Sequence, residues 1–129
     1  MIELYITNIE KTIETDVTPD DMAANGRVTV RWMLGEPEGA NNYEMRYFSL
    51  QGEVSTEWHT HDWEHEVFVV KGKGKIISEN GEKDLEPGDA VYVPPGEQHH
   101  FVSRGELFDF ICVVPKGTRA NPIDSSKCR

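Results

Sequence analysis

Hydrophobic positions alternate with polar ones along most of this chain, with a period near two. That period is the signature of half-buried strands, because successive side chains of a strand point to opposite faces. The stretch "RVTVRWML" alternates, with Val28, Val30, Trp32 and Leu34 on one face. "YEMRYFSL" alternates as well, and Gly52 is expected to close it. "HEVFVVKGKG" reads as a strand running into a glycine-punctuated turn, and "KIISENGEKDL" carries Asn80-Gly81, a strong hairpin signal. "EPGD" is a tight turn, "AVYVPP" a short strand ended by prolines, and "ELFDFICVVP" the longest strand expected. "GEPEGANN" is a loop. Turn signals recur about every 8 to 12 residues, the spacing of a sandwich or barrel. One helical stretch stands apart. "TPDDMAAN" places Thr18 as N-cap, Pro19 at the first position and two aspartates in the first turn, and Asn25-Gly26 ends it. The opening run alternates weakly and suits an edge strand. The closing "KGTRANPIDSSKCR" is polar and irregular, a tail.

Composition narrows this picture. A chain of 129 residues suits one domain, spanning 1–129. Hydrophobic content of 37% and charged content of 28% are those of a globular protein. The longest apolar runs, "VFVV" and "FICVV", are far too short to span a bilayer. The N-terminus has no basic start followed by an apolar core, so no signal peptide is read and a cytoplasmic location is expected. The net charge of −10 argues against nucleic acid and anionic membranes as partners. Cys112 and Cys128 make no disulfide framework, and Cys112 lies in an apolar run.

The chemistry concentrates in the five histidines, which fall into two groups: His59, His61 and His65, then His99 and His100. If His59 and His61 lie in a strand, their imidazoles sit side by side, about 7 Å apart at Cα. Both rings can then reach one ion at roughly 2.1 Å. A third ligand a few residues on, either His65 or Glu66, and a fourth from a neighbouring strand would complete a metal site inside a barrel. Parity does not choose between His65, which lies with Val67 and Val69, and Glu66, which lies with Phe68 and Val70. Both faces are apolar. His100 has the opposite parity to His99 and stays outside the ligand set.

Two ordered frames carry a resemblance. The first is Gly52, His59, His61, His65, Glu66 and Gly72. The second is "GDAVYVPPGEQHHFVS", with Gly88, Pro94, Gly96 and His99. Together they resemble the two motifs of the cupin superfamily, over about residues 44–114. Two positions depart from the pattern: six rather than five residues separate Gly52 from His59, and Ser103 stands where the family has Asn. The resemblance implies an all-β, single-domain jelly-roll barrel with a divalent metal inside, held by His59, His61, His99 and a fourth residue. Counted back from Gly72, the family spacing puts that fourth ligand at His65. "HTHDWEHEVFVVKGK" is similar to one-domain cupins with four histidine ligands, often holding manganese; Glu66 then becomes a group behind the ligands or on the surface.

An all-histidine site leaves the ion its full +2 charge and also suits Fe, Ni, Cu or Zn. Four protein ligands on a six-coordinate ion leave two positions open, as catalysis requires. The same cupins carry a similar "F-x-C-x-x-P-K" strand along the metal pocket, which makes Phe110 and Cys112 pocket candidates. Arg46, in "EMRYF", would suit an anionic substrate if it faces inward. Trp58 and Trp63 flank the ligands. The function expected is that of a metal-dependent oxidoreductase of the dioxygenase kind acting on a small organic molecule. The alternatives are a metal-dependent isomerase and a non-catalytic binder of a small molecule or metal. A homodimer is expected, formed by the N-terminal run pairing with a partner's sheet edge.

Overall fold

Alternation along residues 65–72 becomes a strand with one face in the core and one in solvent: His65, Val67 and Val69 are buried, while Glu66, Phe68 and Val70 are exposed. The same logic builds the rest of the molecule, which a computed structural model describes over residues 4–58 and 60–117. Among the described residues nine strands form in chain order: β1 (Glu14–Asp16), β2 (Gly26–Leu34), β3 (Tyr43–Ser55), β4 (His65–Gly72), β5 (Gly74–Ser78), β6 (Gly81–Leu85), β7 (Ala90–Val93), β8 (His99–Arg104) and β9 (Phe108–Pro115). All pairings are antiparallel. Neighbours run β6-β5-β8-β3-β9-β4-β7, and β2 adds to β3 with β1 on its outside. The fold is an all-β jelly roll, as expected. No helix among the described residues is long and apolar enough to cross a membrane.

Strand β3 holds the two halves of the curled sheet together. Its first part, Tyr43–Leu50, pairs with β9, and its last part, Glu53–Ser55, pairs with β8. Gly52 sits at the corner between them with φ of +92°. A Cβ there would lie 2.3 Å from the Asn25 carbonyl oxygen. Gly52 therefore turns the strand rather than closing it. At 13 residues β3, not β9 with 8, is the longest strand.

The expected N-terminal helix is a single 3-10 turn, Asp20–Met22. Thr18 does not cap it. Its hydroxyl donates to Asp16 Oδ1 at 2.7 Å and accepts from the Val28 amide at 2.8 Å. That commits Thr18 to β2, and so short a segment gains too little to propagate as α-helix. The opening run, from Leu4 to Asn8, is not a strand in this chain; the edge strand is β1. The loop at 35–42 holds a second such turn, Glu36–Glu38. In the β5–β6 hairpin Ser78 pairs with Gly81, so Glu79 and Asn80 form the turn, one residue earlier than Asn-Gly suggests. The tail lies outside the described residues from Thr118 onward, Cys128 included.

Inward-facing side chains stack in rows across β3, β9 and β4. Leu50 faces Phe108, then Phe48 faces Phe110, then Arg46 faces Cys112, then Glu44 faces Val114. The first two rows join Val28, Val30, Val69 and Phe101 in one apolar cluster. The last two rows put ionisable groups at the other end of the interior. On the outer face, Asp109 accepts from the Tyr47 and Ser49 hydroxyls at 2.6 Å each. This ties β3 to β9, and burial together with the Asp109 hydrogen bond holds the Tyr47 phenol well above its usual range.

Candidate metal centre

Three of the four expected ligands meet at one place. Ligand-capable nitrogens of His61, His65 and His99 all lie within 4.8 Å of one another. His65 is the first residue of β4 and His99 the first of β8, so strand ends aim both rings into the barrel. His61 comes from the connection between β3 and β4. Residues 60–64 are not a strand, so the expected strand geometry of a His-x-His pair does not apply at His61. Its position is set instead by its carbonyl, which accepts from the Gly96 amide at 2.7 Å and pins the loop to the turn before β8. His59 lies outside the described residues.

Hydrogen bonds fix two of the three tautomers. His61 Nδ1 lies 2.8 Å from the Trp63 carbonyl oxygen, and His99 Nδ1 lies 2.8 Å from that of Glu97. A carbonyl only accepts, so each Nδ1 carries the hydrogen and each Nε2 keeps a lone pair. Carbonyl-oriented imidazoles are the usual support for metal ligands. The Nε2 atoms of His65 and His99 are 3.0 Å apart. Ring centroids are 5.0 Å apart for His61–His65, 5.5 Å for His61–His99 and 4.9 Å for His65–His99. Burial pushes the His99 imidazole below its ordinary pKa, against the opposing pull of the Glu97 hydrogen bond, and so favours the neutral ligand form. Neutral nitrogen donors converging from three elements fit a divalent transition metal.

The remaining candidates separate cleanly. Glu66 is exposed on the opposite face of β4 from His65, at the rim of the cleft that His65 also borders, and is not among the converging ligand atoms. Cys112 is fully buried, with Sγ 3.0 Å from His65 Nδ1. Arg46 is fully buried too; its Nη2 donates to the same sulfur at 3.2 Å, and its guanidinium lies 5.3 Å from the Trp32 ring centre. Phe110 is not a pocket wall. It packs against Phe101, Phe108 and Phe48 at centroid distances of 4.6, 5.2 and 5.3 Å, in the aromatic core. Trp63 stacks on His61 at 4.6 Å and 7°, while Trp58 contacts His100 instead. A cleft of about 540 Å³ opens alongside, bordered by Trp63, His65, Pro95 and Val114.

Sequence reasoning did not single out three contributors. Glu44 is 1% exposed, a carboxylate brought inside the barrel. Its placement two residues before Arg46 was the available signal. The carbonyls of Trp63 and Glu97 are main-chain groups and leave no mark in a sequence.

Comparison with known proteins agrees with this fold. The chain superposes on the polyketide cyclase RemF from Streptomyces resistomycificus with a TM-score of 0.77, at 24% identity over 89% of this chain and 81% of that one. A cupin 2 conserved barrel domain protein from Rhodopseudomonas palustris gives 0.72, at 24% identity over 83% and 73%. A sugar phosphate isomerase from a cupin superfamily, from Silicibacter pomeroyi, gives 0.70, at 19% identity over 88% and 77%. Among curated proteins, none matches this sequence. At such identities the superpositions establish the fold alone. The family model described as "Cupin domain" matches residues 46–114, within two residues of the span that carries both histidine motifs. With more than half its length matched and three of its histidines gathered inside a jelly roll, this chain belongs to the cupin family.

Proposed function

We propose that this chain is a divalent-metal-dependent enzyme transforming a small organic molecule at the histidine-bearing end of its barrel. His59, His61, His65 and His99 are its ligands and manganese its resident ion. The observation that carries the reading is the convergence of His61, His65 and His99, with His61 and His99 locked by carbonyls into the tautomer that turns Nε2 toward the shared space. Manganese rests on the resemblance to four-histidine cupins. When bound, such an ion supplies Lewis acidity and one-electron redox capacity to a molecule at an open coordination position. The chain's own residues then have definable tasks. The cleft beside Trp63 and Val114 admits the molecule. Trp63, stacked on His61, keeps that ring in place and shields it from water. Arg46, held over Trp32 and Phe48, puts a fixed cation inside the barrel and favours a substrate with an anionic group.

Within this reading the first reaction class is oxidation by dioxygen. The second is non-redox isomerisation or cyclisation. It is favoured by Glu44, Arg46 and Cys112, buried side chains able to hold or orient protons on the interior face that carries His65, and by fold relatives described as a cyclase and a sugar phosphate isomerase. An oxygen electrode separates the two. Metal-loaded protein is assayed against phenols, enediols and diketones, then again without oxygen. Uptake supports the oxidoreductase, and conversion in the anaerobic sample supports the second class. Tight binding with no turnover in either leaves a non-catalytic binding cupin.

A homodimer belongs to the same proposal. Leu4, Ile6 and Ile13 are 84%, 78% and 82% exposed, and Phe68 and Tyr92 form an exposed apolar strip on β4 and β7. Apolar surface of that kind marks an interaction site. Light scattering at micromolar concentration checks it, and a monomeric mass contradicts it.

A further inference from the structure

The outer face of β4 is apolar in its middle and charged at its ends. Phe68 and Val70 are exposed there, and Tyr92 is exposed beside them on β7. The register places Phe68 between Ala90 of β7 and Ile111 of β9. A groove of about 430 Å³ runs over these strands, and Glu66 is the one charged group among the described residues that line it. Apolar surface gathered in this way marks an interaction site.

Charge decides what covers it. Glu66 stands at one end of the strip and Lys71 at the other, both exposed. Among the described residues neither forms an ion pair within the chain. Two copies that meet face to face are related by a two-fold axis lying between their sheets. An axis along β4 would stack Glu66 on Glu66 and Lys71 on Lys71. An axis across β4 near Phe68 reverses the second strand. Each Glu66 then faces Lys71 of the other copy, and the two Phe68 rings meet at the centre. Chains of net charge −10 repel one another. A face that is charge-poor in its middle and self-complementary at its ends is where they can meet.

Resting on the homodimer reading above, we infer that the outer face of β4, β7 and β9 is an isologous interface with a second copy, in which the β4 strands run antiparallel and Glu66 pairs with the partner subunit's Lys71. The consequence reaches the histidine end. Glu66 and Val113 border both this groove and the cleft beside His65. The second copy therefore walls that cleft on one side. The partner subunit's Lys71 adds a cation to a rim that otherwise carries Asp62, Glu64 and Glu66. The cleft is complete only in the dimer.

The test is the dimer dissociation constant of the full chain by sedimentation at low salt, with thermal melts to confirm folding. Phe68→Glu sets like charges at the axis and is expected to weaken the dimer by about 100-fold or more. Glu66→Lys and Lys71→Glu are each expected to weaken it roughly tenfold, and the double variant to return to within about threefold of wild type. A double variant no tighter than either single one overturns the inference, and so does a folded Phe68→Glu variant that dimerises as wild type does. If Phe68→Glu does not fold, the exposed charge swap decides. A Leu4→Ser, Ile6→Ser variant that is monomeric while Phe68→Glu stays dimeric gives the interface to the N-terminal segment and overturns the inference with the homodimer intact. Monomeric wild type overturns the homodimer reading itself and this inference with it.

Discussion

The two ends of the barrel interior are built by the same strands and obey different rules. At one end β3, β9 and β8 contribute Phe48, Leu50, Phe108, Phe110 and Phe101, all fully buried and in mutual contact. At the other end, a residue pair further along, the same strands contribute Glu44, Arg46, Cys112 and His99, and β4 adds His65. The aromatic end gains its stability from burial and close packing, about 2–3 kcal/mol for each large apolar side chain. The histidine end buries charge and polar groups, which cost free energy unless each finds a partner. The difference teaches that one end of this fold sustains the other. Aromatic rows supply the rigidity that keeps three imidazoles converged with no regular structure under His61.

The sharpest way to break this division is at Phe110. Phe110→Ala is expected to lower unfolding free energy by about 3–5 kcal/mol, read by denaturant or thermal melts, while the folded fraction keeps its metal. Loss of metal without loss of stability would put Phe110 in the site after all. Next comes Gly72, whose φ is +80° and whose added Cβ would lie 1.6 Å from the Leu107 carbonyl oxygen. Gly72→Ala is expected to cost about 1–3 kcal/mol and to shift the end of β4. A melt unchanged by this substitution would contradict the close approach of β4 to the Leu107 turn. The smallest effect is in pH. Burial depresses the imidazole of His100, which is not among the converging ligands, below its ordinary value. The unfolded chain therefore binds more protons than the folded one as pH falls below about 6.5. Stability is full above that pH and falls through the window beneath it, toward the depressed value. His100→Gln should flatten that part of a stability–pH curve, and an unaltered slope assigns the dependence elsewhere.

Alternation made β2, β3, β4 and β9 legible, because a two-residue period with one apolar face has few other solutions. Motif spacing made His61, His65 and His99 legible as a set. What was hidden depended on groups that carry no pattern. Thr18 reads as a helix cap, yet tertiary pairing with Val28 takes its hydroxyl. Gly52 reads as a strand end, yet it is a corner, which only the two sheets reveal. Parity left His65 and Glu66 equal, because Phe68 and Val70 make the outer face of β4 as apolar as the inner one. The structure separates them by face: His65 is buried on the inner side of the curled sheet and Glu66 is exposed on the outer side.

That separation carries the central claim, and metal content tests it most directly. Protein purified without chelator is analysed by elemental mass spectrometry as wild type, His65→Ala and Glu66→Ala. The account predicts about one divalent transition-metal ion per chain in wild type and in Glu66→Ala, and its loss in His65→Ala. Metal retained by His65→Ala and lost by Glu66→Ala would contradict it.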